Sequence, residues 1–370
     1  MTGTHRLPEK TTRRAVLGLA AAAAVSGVGL GVHQWLSARR PSAGGPVDGG
    51  PSGGAPVGGP GAADSASPPG RGRPAAPGSP LPAVSDGALG GGPVRFQPGK
   101  VMLGAYLGLS GMTLAQSLAL RRRQLGRDER ILHVFYGWGD TLPTTIAGRP
   151  AGGVPMVSWR GTTYDDILGG SSDRLIAAAA RNLAKLKVPT FLRWGWEMNG
   201  NWYPWGGSQN GDDPAGYVDC WRHIHKIFQV ERVDNISWVW SANWNSKPAT
   251  YANRFQAYYP GDSYVDWVGI SGYNLHDEAP ATLYDPLYQA YAARKPLFIT
   301  ECGAVDRGGT TKGDWVRAFT QYVQQRPAIG AVTWFDTDTH KDAPTNWRID
   351  TNPDALAAYQ AMAGSPRFAG

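Results

Sequence analysis

Glu197 and Glu301 are the residues whose type and setting most directly imply chemistry. Glu197 closes the run Thr190-Phe-Leu-Arg-Trp-Gly-Trp-Glu and Glu301 closes Lys295-Pro-Leu-Phe-Ile-Thr-Glu, each a strand-like stretch ending in a carboxylate. Two carboxyl groups held about 5–5.5 Å apart can cleave a glycosidic bond with retention, one as nucleophile and the other as acid and then base. Trp194, Trp196, Trp202 and Trp205 crowd around the first of them. A carboxyl beside large apolar surfaces holds its proton to higher pH, which suits a general acid. Indole faces also suit the flat C–H faces of sugar rings. A single glutamate at a strand end is ordinarily a rim ion pair, but two of them with such surroundings point to catalysis. Side-chain alternation along a strand puts Arg193, Gly195 and Glu197 on one face, and Leu297, Ile299 and Glu301 on one face.

Positioning these groups takes a scaffold of repeated strand and helix. From Pro93 onward, short apolar runs alternate with helical patterns, as in βα units around a parallel sheet. The strands are expected at Val101–Tyr106, Ile131–Tyr136, Val154–Trp159, Thr190–Trp194, Ile236–Trp240, Val265–Ser271, Leu297–Glu301 and Ile329–Phe335. Helices are expected at Asp173–Leu186, with Asp173 as N-cap, at Pro214–Val230, Leu283–Ala293 and Lys312–Gln324, and near Pro353–Met362. Eight strands in one α/β domain favour a closed (β/α)8 TIM barrel, whose reactive groups gather at the C-terminal strand ends. No Gly-x-Gly-x-x-Gly follows the first strand, which disfavours an open dinucleotide-binding sheet.

The stretch Arg193–Gly206, containing Trp-Glu-Met-Asn-Gly-Asn-Trp-Tyr-Pro-Trp-Gly, resembles the acid/base motif of glycoside hydrolase family 26. Val265-Asp-Trp-Val-Gly-Ile-Ser-Gly-Tyr-Asn resembles that family's sixth strand and Phe298-Ile-Thr-Glu-Cys-Gly its nucleophile strand. Trp334-Phe335-Asp336 with Trp347-Arg348-Ile349-Asp350 resembles its eighth. The resemblance covers roughly 94–366. It implies endo-acting hydrolysis of a β-linked polysaccharide, foremost β-1,4-mannan, with mixed-linkage β-glucan and β-1,3-xylan as alternatives. It makes Glu197 the acid/base and Glu301 the nucleophile. It implies that Trp202 walls the subsite beside the cleaved bond, that Tyr273 hydrogen-bonds Glu301, and that Trp334 lies beneath the sugar at the −1 subsite. Trp159, Trp196, Asn199 and Trp205 are expected to line the cleft. Trp196 stands where many mannanases of the family carry His, so a donor/acceptor imidazole becomes a donor-only indole. A non-catalytic polysaccharide-binding barrel is the competing reading, but such proteins typically lose one carboxylate and both are present.

Other polar residues read as structural. Arg193 is expected to be an interior ion-pair partner; His133, His223 and His225 structural or surface groups; Trp238 and Trp240 core. Cys220 and Cys302 have neither paired spacing nor metal-ligand neighbours, so no metal, cofactor or forced disulfide is implied. The formal charge of +7 is not a nucleic-acid signature. Only Arg121-Arg122-Arg123 cluster, and a solvated helix face is the expectation for them.

Residues 1–40 are read as an export segment. Thr12-Arg13-Arg14-Ala15-Val16-Leu17 resembles a twin-arginine signal, and the small apolar run 15–32 is long enough to stay as a membrane tether if it is not cleaved. Residues 41–93 hold 28 Gly or Pro in 53 positions and no aromatic residue, so they cannot bury enough surface to offset their ordering entropy and read as a linker. The expected molecule is a secreted or outward-facing monomer.

Overall fold

The structure is a computed structural model that describes residues 90–339 and 345–369. The expected export segment and residues 41–89 of the expected linker lie outside the described residues.

Eight parallel strands close into a barrel in sequence order. They are β1 Met102–Gly108, β2 Ile131–Tyr136, β3 Val154–Trp159, β4 Thr190–Trp194, β5 Ile236–Asn243, β6 Trp267–Asn274, β7 Leu297–Ala304 and β8 Ile329–Thr337. Seven α-helices are found among the described residues: α1 Leu114–Leu125, α2 Tyr164–Leu168, α3 Asp173–Ala184, α4 Pro214–Val230, α5 Pro280–Tyr291, α6 Thr311–Gln324 and α7 Pro353–Gly364. The β2–β3 connection carries no helix, and β5–β6 carries only two 3-10 turns, Phe255–Tyr258 and Asp262–Tyr264. The βα rhythm is therefore less regular than its sequence pattern.

Helix ends follow local chemistry. Thr113 caps α1 with a reciprocal capping box to Gln116, and Gly126 ends that helix in the left-handed region at φ 69. Pro214 begins α4 behind the Asp213 cap. Asp173 is not the N-cap of α3. Ser172 holds that place without a side-chain bond, and Asp173 instead pairs with His223 at 2.6 Å.

The barrel interior is layered. Its floor is apolar, built from Met156, Phe191, Val239, Trp267, Phe298 and Ala331. Above it lies a polar layer in which Ser241 and Thr300 hydrogen-bond at 2.8 Å. A Cβ on Gly269 would come within 2.9 Å of both Ser241 and Thr300, so glycine alone fits there. Gly91 and Val94 close the lower mouth. The Gly91 carbonyl accepts from Ser237 at 2.6 Å and from the Trp267 indole at 2.9 Å, so the folded part begins before the expected boundary at 94. At the other end Phe368 is fully buried, two residues beyond the expected limit of 366. Trp238 and Trp240 face the helices, as expected of core residues, and Cys220 and Cys302 are buried and unlinked.

The expectation of a solvated Arg121–Arg123 face fails at Arg121. That residue is 2 % exposed and pairs with Asp336 of β8 at 2.5 Å and with Glu129 at 3.2 Å. Tyr359 of α7 donates to the same Glu129 at 2.7 Å. Two buried carboxylates facing α1 demand a cation, and the helical period turns the first arginine of the run toward them.

Candidate active site

Glu197 lies three residues past the end of β4. The chain leaves the strand through two left-handed residues, Gly195 at φ 50 and Glu197 itself at φ 57. A non-glycine residue in that region is strained by about 1–3 kcal/mol and persists only where its surroundings hold it. Here the Glu197 amide donates to the Ser241 carbonyl of β5 at 2.8 Å, and the Trp202 indole donates to its carboxylate at 2.9 Å. Glu197 therefore reaches the barrel axis by a turn rather than by continued strand alternation.

Glu301 reaches the axis by a bulge. Phe298 belongs to the inner floor and Ile299 to the outer core, so the expected shared face of Leu297, Ile299 and Glu301 does not exist. Ile270 pairs with Ile299 but Ser271 pairs with Glu301, leaving Thr300 as an extra residue on β7. The β8 side shows the same shift, since Ile299 pairs with Val332 and Cys302 with Trp334. One inserted residue lets Thr300 and Glu301 both face inward, the usual means of re-aiming a side chain beside a site.

Arg193 and Tyr273 hold Glu301. The Arg193 guanidinium, fully buried, donates to one carboxylate oxygen, and the Tyr273 hydroxyl donates to the other. Arg193 also donates to Ser271 at 2.6 Å and to Ser158 at 3.4 Å, and it lies 5.0 Å from the Trp196 ring centroid. The sequence expectation of an interior ion pair for Arg193 holds, with Glu301 as its partner. The environments of the two carboxyls differ in kind. Burial first, and then the charge of Glu301, push Glu197 up to about 7, against the opposing pull of Arg193, Ser271 and Trp202. Burial and the two carboxylates hold the Tyr273 phenol well above its usual range, so it remains a donor. Burial and Arg193 hold His133 well below the usual imidazole range, and its Nε2 meets Ser158 at 2.7 Å as a neutral ring.

The remaining expected site residues divide. Tyr273 meets Glu301 as expected, and Trp202, expected as a subsite wall, donates its indole N–H to Glu197. Trp196 is 2 % exposed and packs beside the site, its ring against the Arg193 guanidinium and 5.4 Å from Phe135. Asn199 does not line the cleft. Its amide braces two loops, donating to the Asn243 carbonyl at 2.8 Å and to Ser246 at 3.0 Å and accepting from the Asn243 amide at 2.8 Å. Trp205 is likewise a brace, fully buried, with its indole donating to the Trp196 carbonyl at 2.7 Å. Trp159 points outward and stacks on Trp138 at 4.6 Å. Trp334 also points outward, edge-on to Trp315 of α6 and Tyr359 of α7.

Beyond Trp202 and Tyr273, the aromatic wall beside the carboxylates comes from residues to which the sequence reading gave no site role. Trp347 packs 4.8 Å from Tyr273, in one cluster with Phe335 and the half-buried Tyr106, Phe135, Trp202 and Trp244. Alternation on β8 carries the signal for part of this, because Ala331 in the floor places Thr333 and Phe335 inward and Trp334 outward. The loop after β8 then returns Trp347 to the cleft. Its position is held by the Trp334 indole on its carbonyl at 2.8 Å, and by Asp336 accepting from the Ile349 amide at 2.8 Å.

A closed parallel barrel with a buried pair of differently held carboxyls and an aromatic cleft at its C-terminal rim defines a glycoside hydrolase of the paired-carboxylate class. The sequence model of glycosyl hydrolase family 26 matches residues 156–360, more than half of the chain, and the chain belongs to that family. It is 30 % identical over 258 residues to Endoglucanase H of Acetivibrio thermocellus, covering 65 % of this chain and 28 % of that protein. It is 26 % identical over 305 residues to a mannan endo-1,4-beta-mannosidase of Bacillus subtilis, covering 70 % and 79 %. It is 30 % identical over 137 residues to beta-1,3-xylanase TXYA of a Vibrio species, covering 37 % and 28 %. The chain thus spans less than a third of the length of Endoglucanase H and of the xylanase. Among solved structures, a Cellulomonas fimi endo-beta-1,4-mannanase double mutant shares the fold at TM-score 0.55 and 19 % identity, covering 73 % of this chain and 72 % of that one. A Bacillus subtilis mannanase shares it at TM-score 0.52 and 22 % identity, covering 73 % and 87 %.

Proposed function

We propose that this chain is a secreted, retaining endo-β-glycanase, with Glu301 as nucleophile, Glu197 as acid/base and β-1,4-mannan as first substrate. The observation that carries the reading is the unequal environment of the two carboxyls. Glu301 is held between Arg193 and Tyr273, with one guanidinium and one phenol on its two oxygens. Glu197, raised to about 7, still carries its proton in about half of the molecules at neutral pH and can deliver it to the leaving oxygen. Attack by Glu301 on the anomeric carbon breaks the bond to that oxygen, which takes the proton from Glu197, and leaves a glycosyl ester on Glu301. The ester carries no charge, so the repulsion that raised Glu197 is gone. Glu197 becomes the stronger acid at the step where it must stay ionised and take a proton from water.

A second substrate, mixed-linkage β-glucan, has two specific observations in its favour. Trp196 replaces the imidazole that many mannanases of the family carry, and the relative called Endoglucanase H matches over 258 residues. Purified enzyme offered mannan, glucomannan, barley β-glucan, curdlan and β-1,3-xylan is expected to release mannan oligosaccharides fastest, with β-glucan second. Cleavage confined to α-linked glycans or chitin would overturn the proposal.

Export by the twin-arginine route is part of the same proposal. Exchanging Arg13 and Arg14 together for Lys is expected to leave the protein in the cytoplasm, as read by fractionation of the producing cells. Undiminished export of that variant would refute the assignment.

A further inference from the structure

We propose that the hydroxyl pair of Ser241 and Thr300 is a cross-brace for the reaction: it ties the strand that holds Glu197 to the strand that carries Glu301, and so sets the separation of the two carboxyls. Ser241 and Thr300 are thus positioning residues. The proposal rests on the reading of Glu197 as acid/base and Glu301 as nucleophile.

Each end of the brace is joined to one carboxyl by a short path. On β5 the carbonyl of Ser241 accepts from the Glu197 amide at 2.8 Å. On β7 Thr300 is the extra residue of the bulge and immediately precedes Glu301. The two side chains, both fully buried, meet at 2.8 Å. Strands two places apart in a sheet lie about 9–10 Å from one another, with a third strand between them. Here the third strand is β6, and its residue paired with Ser241 is Gly269. A Cβ at Gly269 would stand 2.8 Å from the Thr300 methyl and 2.9 Å from the Ser241 Cβ. The missing side chain is what lets the two hydroxyls meet over β6. From the other side, the Thr333 hydroxyl of β8 donates to the Thr300 carbonyl and holds the bulge.

Separation decides what a pair of carboxyls can do. Retention requires about 5–5.5 Å, whereas inversion takes about 6.5–9.5 Å to admit a water. Neither strand end fixes that distance alone, since Glu197 leaves β4 by a turn and Glu301 depends on an inserted residue. The brace couples the two.

Loss of the brace should be legible at Glu197. The charged and titratable groups around it are Glu301 on β7, Arg193 on β4, Tyr203 in its own loop and Tyr273 on β6. Burial holds both phenols far above neutral pH, and His133 beyond Arg193 stays uncharged. Parting β5 from β7 moves Glu301 away from Glu197, while Arg193 stands on the strand that leads to Glu197 and shifts less. Repulsion between the carboxyls weakens, so Glu197 should give up its proton at lower pH.

Thr300→Val keeps the shape of the side chain and removes its hydroxyl. On polysaccharide its kcat/KM should fall about 10- to 100-fold, the usual penalty for misplaced reacting groups. The alkaline limb should move to lower pH, by about 0.3 of a unit for each ångström gained near 5.5 Å at an effective dielectric constant of about 20. Ser241→Ala should do the same. The double variant should do no more than either single one, because all three remove one and the same interaction. Thr300→Ser, which keeps a hydroxyl, should restore both the rate and the limb. A smaller folded fraction alone would lower kcat and leave the limb in place. Additive losses in the double variant, or an unmoved limb in Thr300→Val, would overturn the proposal. Should Thr300→Val not fold, Ser241→Ala set against Thr300→Ser carries the same test.

Azide rescue of Glu197→Ala on an aryl glycoside with a good leaving group separates the brace from the reading beneath it. Rescue together with an unmoved limb in Thr300→Val overturns the brace and leaves the acid/base reading intact. Absence of rescue overturns the acid/base reading itself.

Discussion

Exchange of Glu301 for alanine is expected to end turnover on every substrate, whatever its leaving group, while exchange of Glu197 should spare one step. Without Glu301 no carbon–oxygen bond can form on the face opposite the leaving group, and no glycosyl-enzyme arises. Without Glu197 the loss should depend on the leaving group. Polysaccharide cleavage, which requires protonation of a poor leaving group, should fall by about 10²- to 10⁴-fold. An aryl glycoside that leaves unaided should still load the enzyme, and the intermediate should accumulate for want of a base. Azide can enter the space left by the carboxylate and attack the glycosyl-enzyme, giving the β-glycosyl azide. On Glu301→Ala the same anion should attack the substrate directly from the opposite face and give the α-azide. Proton NMR of the anomers distinguishes the products. Exchanged stereochemistry between the two variants, or inversion by the unaltered enzyme, would reverse or refute the assignment.

The second large effect lies behind the barrel wall. Arg121→Met should destabilise the enzyme by about 3–5 kcal/mol, the usual cost of leaving a buried charge without its partner. Glu129 and Asp336 would both lose their cation, while Tyr359 and the Ile349 amide alone would remain as donors to them. For a domain of this size the melting temperature should drop by on the order of 10 °C. Burial already raises the Glu129 carboxyl above its usual range despite Arg121. In the variant its folded-state value rises further, so the folded protein binds more protons than the unfolded chain over the interval between the two values. Stability relative to the parent should therefore recover as pH falls. Melting at pH 5 and pH 8 checks both statements, and a loss of only a degree or two at pH 8 would refute the first. Because Asp336 also holds the loop that carries Trp347, the variant should bind oligosaccharide more weakly even where it stays folded.

The candidate site was legible in the sequence to the extent that its residues announce themselves by type. The two carboxylates expected at strand ends, a tyrosine on β6 and a tryptophan five residues past Glu197 are found together in the structure, with Tyr273 on Glu301 and Trp202 on Glu197. Choosing among the fifteen tryptophans was beyond pattern reading. Indole serves equally as a sugar platform and as core, and the direction of the strand face decides between them. That direction turned Trp159 and Trp334 toward the helices, whereas a loop returned Trp347 to the cleft. Ser158 and Ser271 carry no distinctive signal at all, since a serine in a strand becomes notable only when a buried guanidinium stands next to it.

The sequence by itself determined the class of fold and the two carboxylates, because alternation of strand and helix and the placement of acids at strand ends are local properties of the chain. Tertiary structure alone decided how those acids face one another. Simple alternation gives Glu301 the wrong neighbours, and only the mismatch in register against β6 and β8 inserts Thr300 and turns Glu301 inward. Glu197 needs two left-handed residues, held by β5, to meet it. The electrostatic division of labour between the two likewise exists only in the closed barrel. Arg193 lies 108 residues from Glu301, and burial, which does most to raise Glu197, arises only when all eight strands surround it.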